Sequence, residues 1–189
     1  MPPLIAIQVR DAHLRQALSQ LAAQLRDMTN VMRALSETMV DASARAFERK
    51  ADPFTGAPWK PLSQGRNNQR EKKGRSAENI LQDSGLLVGS ITRPGSRGSV
   101  HEVGADYALV GTNVVYAAIH QLGGKTAPHK ITARRGKALA IPGIGFRHSV
   151  MHPGSVIPAR PFLGVGLKDV EVMRSIVRRH LMQALEGKA

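Results

Sequence analysis

Serine, histidine and acidic side chains are the residue types through which this chain could act as a hydrolase. Ser84 directly follows Asp83, but no G-x-S-x-G elbow surrounds the serine. Capping of a short helix by Asp83 or Ser84 explains the pair better. The carboxylates are few and fall mostly on predicted helix surfaces, which does not favour the facing pair of a glycosidase. The sequence therefore predicts no catalytic residue and no enzyme activity.

Histidines raise the question of a metal site, because imidazole binds zinc, copper and nickel. An H-x-x-x-H pair is persuasive on a helix, whereas here it lies among glycines and prolines and has no carboxylate nearby. The chain also contains no cysteine, which excludes a thiol nucleophile and Cys-ligated zinc. The histidines that could act as metal ligands are His120, His129, His148 and His152. We nevertheless expect no metal site and no cofactor.

Positive charge is the strongest feature of the composition. The 189 residues include 27 Lys and Arg against 14 Asp and Glu, a formal net charge of +13. Residues 107–168 contain no acidic residue. We predict a basic partner-binding surface there, formed by Lys125, Lys130, Arg134, Arg135, Lys137 and Arg147.

Two kinds of partner fit such a basic surface, nucleic acid phosphates and an acidic protein. A solvated loop that keeps a basic protein soluble is the alternative. Aromatic residues make up only 4% of the chain, which weakens any model based on stacking of single-stranded bases. No zinc-finger pattern and no clear helix-turn-helix accompanies the charge.

The helices that would position these residues are visible as apolar periodicity. Leucines recur on one face of a helix over 12–27, and a second stripe follows a candidate N-cap at Thr29 or Asn30 and ends near Arg49. A third stripe predicts a C-terminal helix that begins at Asp169. The three stripes are Leu14, Leu18, Leu21 and Leu25; Val31, Leu35, Met39, Ala42 and Ala46; and Val170, Met173, Val177, Leu181 and Leu185.

Between these helices the pattern changes to loops, short helices and strands. Residues 51–62 are rich in proline and predict an ordered loop held by its aromatic residues, Phe54 and Trp59. The polar stretch 63–77 predicts a mobile basic loop, and 123–157 predicts a long loop or hairpin with a strand over 137–141.

Alternating residues over 5–9, 100–103 and 107–111 predict strands, the last two as an antiparallel pair. Short helices are expected after Ser84 and after Asn113. Because helices and strands are segregated, the expected fold is α+β. It has an antiparallel sheet packed against two N-terminal helices and a C-terminal helix, in a single domain over 1–189. No signal peptide and no membrane-spanning stretch is expected.

Four segments in this order resemble the phage virion morphogenesis family, the tail-completion proteins of Mu-like and related tailed phages and prophages. The first runs from Asp52-Pro53 to Trp59-Lys60-Pro61-Leu62, and the second is Leu81-x-Asp83-Ser84-Gly85-Leu86 with Ser90-Ile91. The others are Val110-Gly111-Thr112-Asn113-x-x-Tyr116-Ala117-x-x-His120-Gln121-x-Gly123 and Pro158-Ala159-Arg160-Pro161-Phe162-Leu163-Gly164.

The resemblance implies a non-enzymatic virion protein, assembled in the bacterial host cytoplasm, that acts where a finished tail meets a filled head. Proteins at that junction commonly form rings, often sixfold. The partners implied are further copies of the chain, tail-tube proteins and head-connector proteins, close to the genomic DNA. A basic nucleic-acid-binding protein is the alternative function.

The expected interface residues are Trp59, Tyr116, Arg160 and Phe162. The prolines that flank Trp59, Arg160 and Phe162 lower the entropy cost of fixing a loop against a neighbouring subunit. Simple core packing is the alternative for the three aromatic residues. Arg160 would pair with a carboxylate, so that an Arg160→Ala variant is expected to fold but to make weaker subunit contacts.

Overall fold

The computed structural model describes residues 11–76, 78–133, 136, 138–141, 143 and 145–186. The helices in this part are α1 (Ala12–Arg26), α2 (Thr29–Arg49), α3 (Gln64–Glu71), α4 (Leu86–Thr92), α5 (Ala117–Leu122) and α6 (Leu167–Leu185). The strands are β1 (Ser99–Val103), β2 (Ala108–Thr112), β3 (Gly124–Lys125), β4 (His129–Thr132), β5 (Leu139–Ile141), β6 (Gly145–Arg147), β7 (Ser149–His152) and β8 (Val156–Ile157). The α+β class is confirmed. The strand predicted over 5–9 lies outside the described residues.

Helix α2 forms the centre of the fold because its apolar stripe is buried as predicted. Val31, Ala42 and Ala46 are buried, and Phe47 extends the stripe into the core. The antiparallel pair β1–β2 packs against α2 and α4, whereas α6 packs against α1 and α2. The C-terminal helix therefore joins the two N-terminal helices instead of covering the sheet.

The core joins α2 and α4 to β2 and to two proline-rich segments. The ring of Phe47 stacks on Phe162 with centroids 5.5 Å apart and meets Trp59 edge to face at 5.7 Å. Leu87 and Ile91 of α4 complete this cluster, as the spacing predicted. Aromatic contacts of this kind add about 0.5–1.5 kcal/mol to the stabilisation from burial.

The leucine face of α1 is not buried. Leu14, Leu18 and Leu25 are exposed, although Leu21 is half-buried and the helix itself has almost the predicted bounds. Periodicity correctly indicated a helix, but it does not say whether the apolar face has a partner within the same chain.

Four helix starts differ from the predicted caps, and α4 follows Gly85 instead of Asp83 or Ser84. Helix α2 includes Thr29, whose backbone N–H and hydroxyl both donate to Asp27. Helix α6 begins two residues before Asp169, whose carboxylate accepts the backbone N–H of Gly166. In α5 the first helical residue is Ala117, and Thr112 accepts the N–H of Val114 before the helix begins.

The polar segment after the proline-rich loop contains a helix. Residues 64–71 form α3, so the prediction of a basic loop over 63–77 is wrong for these eight residues. The buried side chain of Arg70 holds this helix to the chain that follows it, because it donates to the carbonyls of Ser76 at 3.2 Å and Asn79 at 2.6 Å. A sequence with almost no apolar residues gave no sign of this anchor.

The described residues between 124 and 157 form a long antiparallel hairpin, which we call the β arm. The pairs β3–β8 and β4–β7 share one continuous register, and β5–β6 continues toward the tip in a shifted register. A hairpin was one of the two predicted outcomes, and the strand predicted over 137–141 corresponds to β5. Gly154 is required at its base, because its φ of +88° is left-handed and a Cβ would lie 2.1 Å from the Thr126 carbonyl oxygen.

Candidate interaction site

The proline-rich segment 158–164, here called the strap, connects the β arm to α6. Gln121 of α5 holds the strap through its side-chain amide, whose oxygen accepts the backbone N–H groups of Phe162 and Leu163 at 2.9 and 3.0 Å. The amide nitrogen donates to the Leu163 carbonyl at 2.9 Å. The side chain thus pairs three strap groups as a neighbouring strand would. The sequence placed Gln121 in the His120-Gln121 motif but did not indicate that its side chain holds the strap.

The loop over 51–62 lies against the strap. At its start, Lys50 adopts a left-handed conformation and its carbonyl accepts the Trp59 N–H at 2.7 Å. At its end, the Trp59 indole donates to the Pro161 carbonyl at 2.8 Å. Trp59 therefore anchors the loop as predicted, whereas Phe54 does not, because its side chain is exposed.

Three of the four predicted interface residues meet at this junction, and all three are buried within the chain. Trp59 and Phe162 belong to the core, which is the alternative that the sequence left open. Arg160 is only 5% exposed, and it donates to the carbonyls of Lys60 at 2.8 Å and Pro61 at 3.1 Å. Within the described part of the chain these side-chain bonds go to backbone carbonyls instead of a carboxylate.

Tyr116, the fourth predicted interface residue, remains accessible. Its ring is partly exposed and meets His120 edge to face with centroids 6.0 Å apart. Both rings line a cavity of about 340 Å³, which we call the arginine pocket, together with Arg66, Arg70, Asp83 and Arg160. Helix α3, the turn before α4, α5 and the strap each supply part of its wall.

Positively charged arginine side chains dominate the electrostatics of the arginine pocket. Asp83 accepts a hydrogen bond from Arg75 at 2.7 Å, and Arg66 and Arg70 approach it at 3.6 and 3.8 Å. The Arg75 bond, opposed in part by desolvation, lowers the pKa of Asp83. Desolvation, followed by the charge of Arg160, lowers the pKa of His120, so its neutral form is favoured.

The β arm carries the other predicted site. Lys125, Lys130 and Arg147 are exposed on it, as a partner-binding surface requires. Arg134, Arg135 and Lys137 lie outside the described residues. Apolar side chains are exposed along the same arm, among them Phe146 and Val156, which are 75% and 78% exposed.

Two of the three histidines of the β arm form a pair. His129 and His152 face each other across β4 and β7, and their rings stack with centroids 5.1 Å apart. Among the described residues, no group of three or more His, Cys, Asp or Glu is placed to hold a metal ion. None of the described helices has both the length and the apolar character needed to cross a bilayer.

Comparisons with known proteins identify the family of this chain. The family model described as the phage virion morphogenesis family matches residues 9–182. "Putative capsid assembly protein G" of Escherichia phage Mu is 30% identical over 181 residues, which cover 96% of this chain and 95% of the relative.

"Mu-like prophage FluMu G protein 2" of Haemophilus influenzae is 33% identical over 76% of this chain and 83% of the relative. "Mu-like prophage FluMu G protein 1" of the same organism is 25% identical over 90% of each chain. No solved structure matches this chain significantly. Because the family model and the Mu relative both cover nearly the whole sequence, this chain belongs to the phage virion morphogenesis family.

Proposed function

We propose that this chain is a structural protein of the virion that completes the tail or joins it to the head, and that it acts as a closed ring of identical subunits. No catalytic step is part of this role. Membership of the virion morphogenesis family supports the assembly function, and the architecture of the β arm supports the ring.

The structure of the β arm is the main support for the proposed ring. It is a two-stranded ribbon, and such a ribbon is at best marginally stable in water without a further strand or a packed face. Its strands pack mainly against one another. Exposed apolar side chains nevertheless occur along its length, at Ile131, Phe146, Met151 and Val156.

A neighbouring subunit would supply the missing surface. Burying a large apolar side chain contributes about 1.5–3 kcal/mol, so a few of these residues could pin the arm to the next copy. The exposed leucine face of α1, with Leu14, Leu18 and Leu25, offers a second apolar surface on the same molecule. Contacts between different patches of neighbouring copies generate rings when the rotation closes.

Native mass spectrometry of the purified protein tests the ring, after nuclease treatment and with a check for bound nucleic acid. One discrete closed oligomer supports it. A monomer in solution and also on isolated tails contradicts it.

Electron microscopy of particles made without a working copy of the gene tests the position in assembly. Tail completion or joining predicts filled heads beside separate tails, and loss of tail-length control would indicate a terminator. The Mu relative carries capsid assembly in its name. Aberrant or missing heads with normal tails would therefore assign this chain to head assembly and overturn the tail proposal.

Nucleic acid binding is the second candidate, and it rests on the charge of the β arm. Residues 124–157 contain no acidic residue, while Lys125, Lys130 and Arg147 are exposed. Neutralising Lys130, Arg134, Arg135 and Lys137 should reduce the slope of log affinity for duplex DNA against log salt by about 0.9 for each phosphate that is no longer neutralised. An unchanged slope and affinity would exclude this function.

A further inference from the structure

The arginine pocket holds buried polar groups that the protein itself leaves unused. The Nε atom of Arg70 and the Nδ1 atom of His120 are buried and have no hydrogen-bond partner among the described residues. Arg70 is only 4% exposed, so water at the protein surface does not solvate most of its guanidinium. An unpartnered buried donor on a charged group is costly, which makes such a site unusual in a folded chain.

The pocket also has more positive than negative charge. Arg66, Arg70 and Arg160 line it, whereas Asp83 is the one carboxylate among its lining residues. That carboxylate is engaged by Arg75 at hydrogen-bond distance, and its separations from Arg66 and Arg70 are too long for hydrogen bonds. A second anion would therefore find donors and charge that Asp83 does not use.

Arg160 is fixed in place before any ligand arrives. Its Nε and Nη2 atoms are bonded to the backbone of the loop over 51–62. Because these bonds hold the guanidinium rigid, binding of an incoming anion would not carry the entropy cost of ordering it. Half of the side-chain surface of Arg66, at the edge of the pocket, is accessible. This side chain can therefore move toward an anion that binds in the pocket.

We propose that the arginine pocket is a docking site for a single acidic side chain, an aspartate or glutamate, presented by a partner protein during assembly. The planar guanidinium groups match the two oxygens of a carboxylate, and burial strengthens the resulting charge-assisted bonds. The partner's side chain would pass beside Tyr116, which is the exposed aromatic residue at the pocket.

The shape of the pocket favours a protein carboxylate over duplex DNA. Its most important donors lie on Arg70 and Arg160, both buried, inside a recess of about 340 Å³. A backbone phosphate of a stiff duplex is flanked by sugars on both sides, whereas a glutamate carboxylate stands at the end of a slender side chain. The exposed cations of the β arm are far easier for DNA to reach than the buried arginines of the pocket. The docking proposal concerns the single chain and does not depend on ring formation.

Side-chain NMR of the ¹⁵N-labelled full chain tests this proposal. The probe is glutamate blocked at both ends, N-acetylglutamate N-methylamide, and its control is the glutamine analogue of the same size at matched ionic strength. We expect saturable shifts of the Arg70 and Arg160 Nε–H signals and of the His120 ring with the glutamate probe, and none with the glutamine analogue.

Two substitutions locate the binding. Arg66→Gln keeps the fold, because that side chain is half exposed, and should weaken binding of the glutamate probe about tenfold. Arg97→Gln, which removes an exposed arginine outside the pocket, should leave the affinity unchanged. Equal weakening by both substitutions would mean a general effect of charge and would overturn the site.

Other outcomes overturn the proposal in distinct ways. Shifts of equal size with the glutamine analogue would remove the requirement for a carboxylate. Shifts produced by inorganic phosphate or a short DNA duplex, but not by the glutamate probe, would assign the pocket to phosphate. Because the assay uses the free chain, each of these results leaves the proposed assembly role standing.

Discussion

The indole nitrogen of Trp59 donates a hydrogen bond to the carbonyl oxygen of Pro161 at 2.8 Å, across 102 residues of sequence. This bond closes the loop over 51–62 onto the strap, and the indole ring packs edge to face on Phe47. Both proline-rich motifs of the family resemblance therefore meet in one place. Together these two segments form the part of the fold to which the β arm and α6 are attached.

Two substitutions of Trp59 distinguish the contribution of its hydrogen bond to stability from that of its packing. Trp59→Phe should cost about 1 kcal/mol, because the ring contact is kept and the Pro161 carbonyl loses its partner. Trp59→Ala should cost about 3–5 kcal/mol, because it opens a cavity in the core. Urea unfolding of the two variants measures both values. A loss below about 1 kcal/mol for the alanine variant would show that the indole is not a core anchor.

Arg160→Met should destabilise the chain by about 2–4 kcal/mol, since the Lys60 and Pro61 carbonyls lose a buried charged donor. The sequence-based expectation was a folded Arg160→Ala variant with weaker subunit contacts, and the bonds to the loop add a loss of stability to it. Arg160→Lys should recover only part of the loss, because one ammonium group cannot reproduce the planar fork. Thermal unfolding is the measurement. Wild-type stability combined with failed assembly would show that Arg160 acts through partner contacts alone and not through the stability of the fold.

Exposed residues of the β arm should affect assembly without affecting the stability of the chain. Val156→Ser should change the free energy of unfolding by less than about 0.5 kcal/mol and reduce the fraction of assembled oligomer. Val115→Ser is a matched control, because Val115 is 98% exposed and lies before α5, outside the arm. Light scattering and native mass spectrometry compare the two. Equal oligomer fractions would indicate that Val156 is not part of a subunit contact.

The stability of the chain should fall as the pH drops below about 6.5, the ordinary pKa of histidine, because His120 is held neutral in the fold. Burial, with the charges of Arg160 and Arg66, lowers the pKa of His120 relative to the unfolded chain. The unfolded state then binds more protons, and the stabilisation present above that pH is lost on acidification.

His120→Gln should make this pH dependence shallower, whereas His13→Gln on the exposed surface of α1 should not. Urea midpoints measured between about pH 7.5 and pH 5.5 give the comparison. The charged groups and the tyrosine that line the pocket with His120 are unchanged in both variants; they are Arg66, Arg70, Arg160, Asp83 and Tyr116. Identical slopes for the wild-type chain and the His120 variant would exclude His120 as the source.

Local patterns in the sequence were sufficient for much of the fold. The apolar stripe of α2, the β1–β2 pair and the helical character of α1 and α6 follow from the periods of the helix and the strand, which depend on neighbouring residues alone. The order and spacing of the four motif segments identified the family, which the comparisons confirm.

Burial was decided by contacts between distant segments, and the sequence could not reveal it. From the sequence, Arg70 is one cation of a polar loop and Arg160 is an expected interface residue, yet each is buried because backbone carbonyls accept its hydrogen bonds. Helix α3 escaped prediction for the same reason, since the Arg70 hydrogen bonds hold it in place without an apolar stripe.

The leucines of α1 show the reverse case. Their spacing determined a helix with an apolar face, because side chains three and four residues apart share one side of any helix. Whether that face, or the apolar side chains of the β arm, is covered depends on surfaces elsewhere in the fold or on other chains. The sequence by itself determined the local elements and the family of this protein. Only the tertiary structure decided which of its charged residues are buried in the arginine pocket and which apolar residues remain exposed.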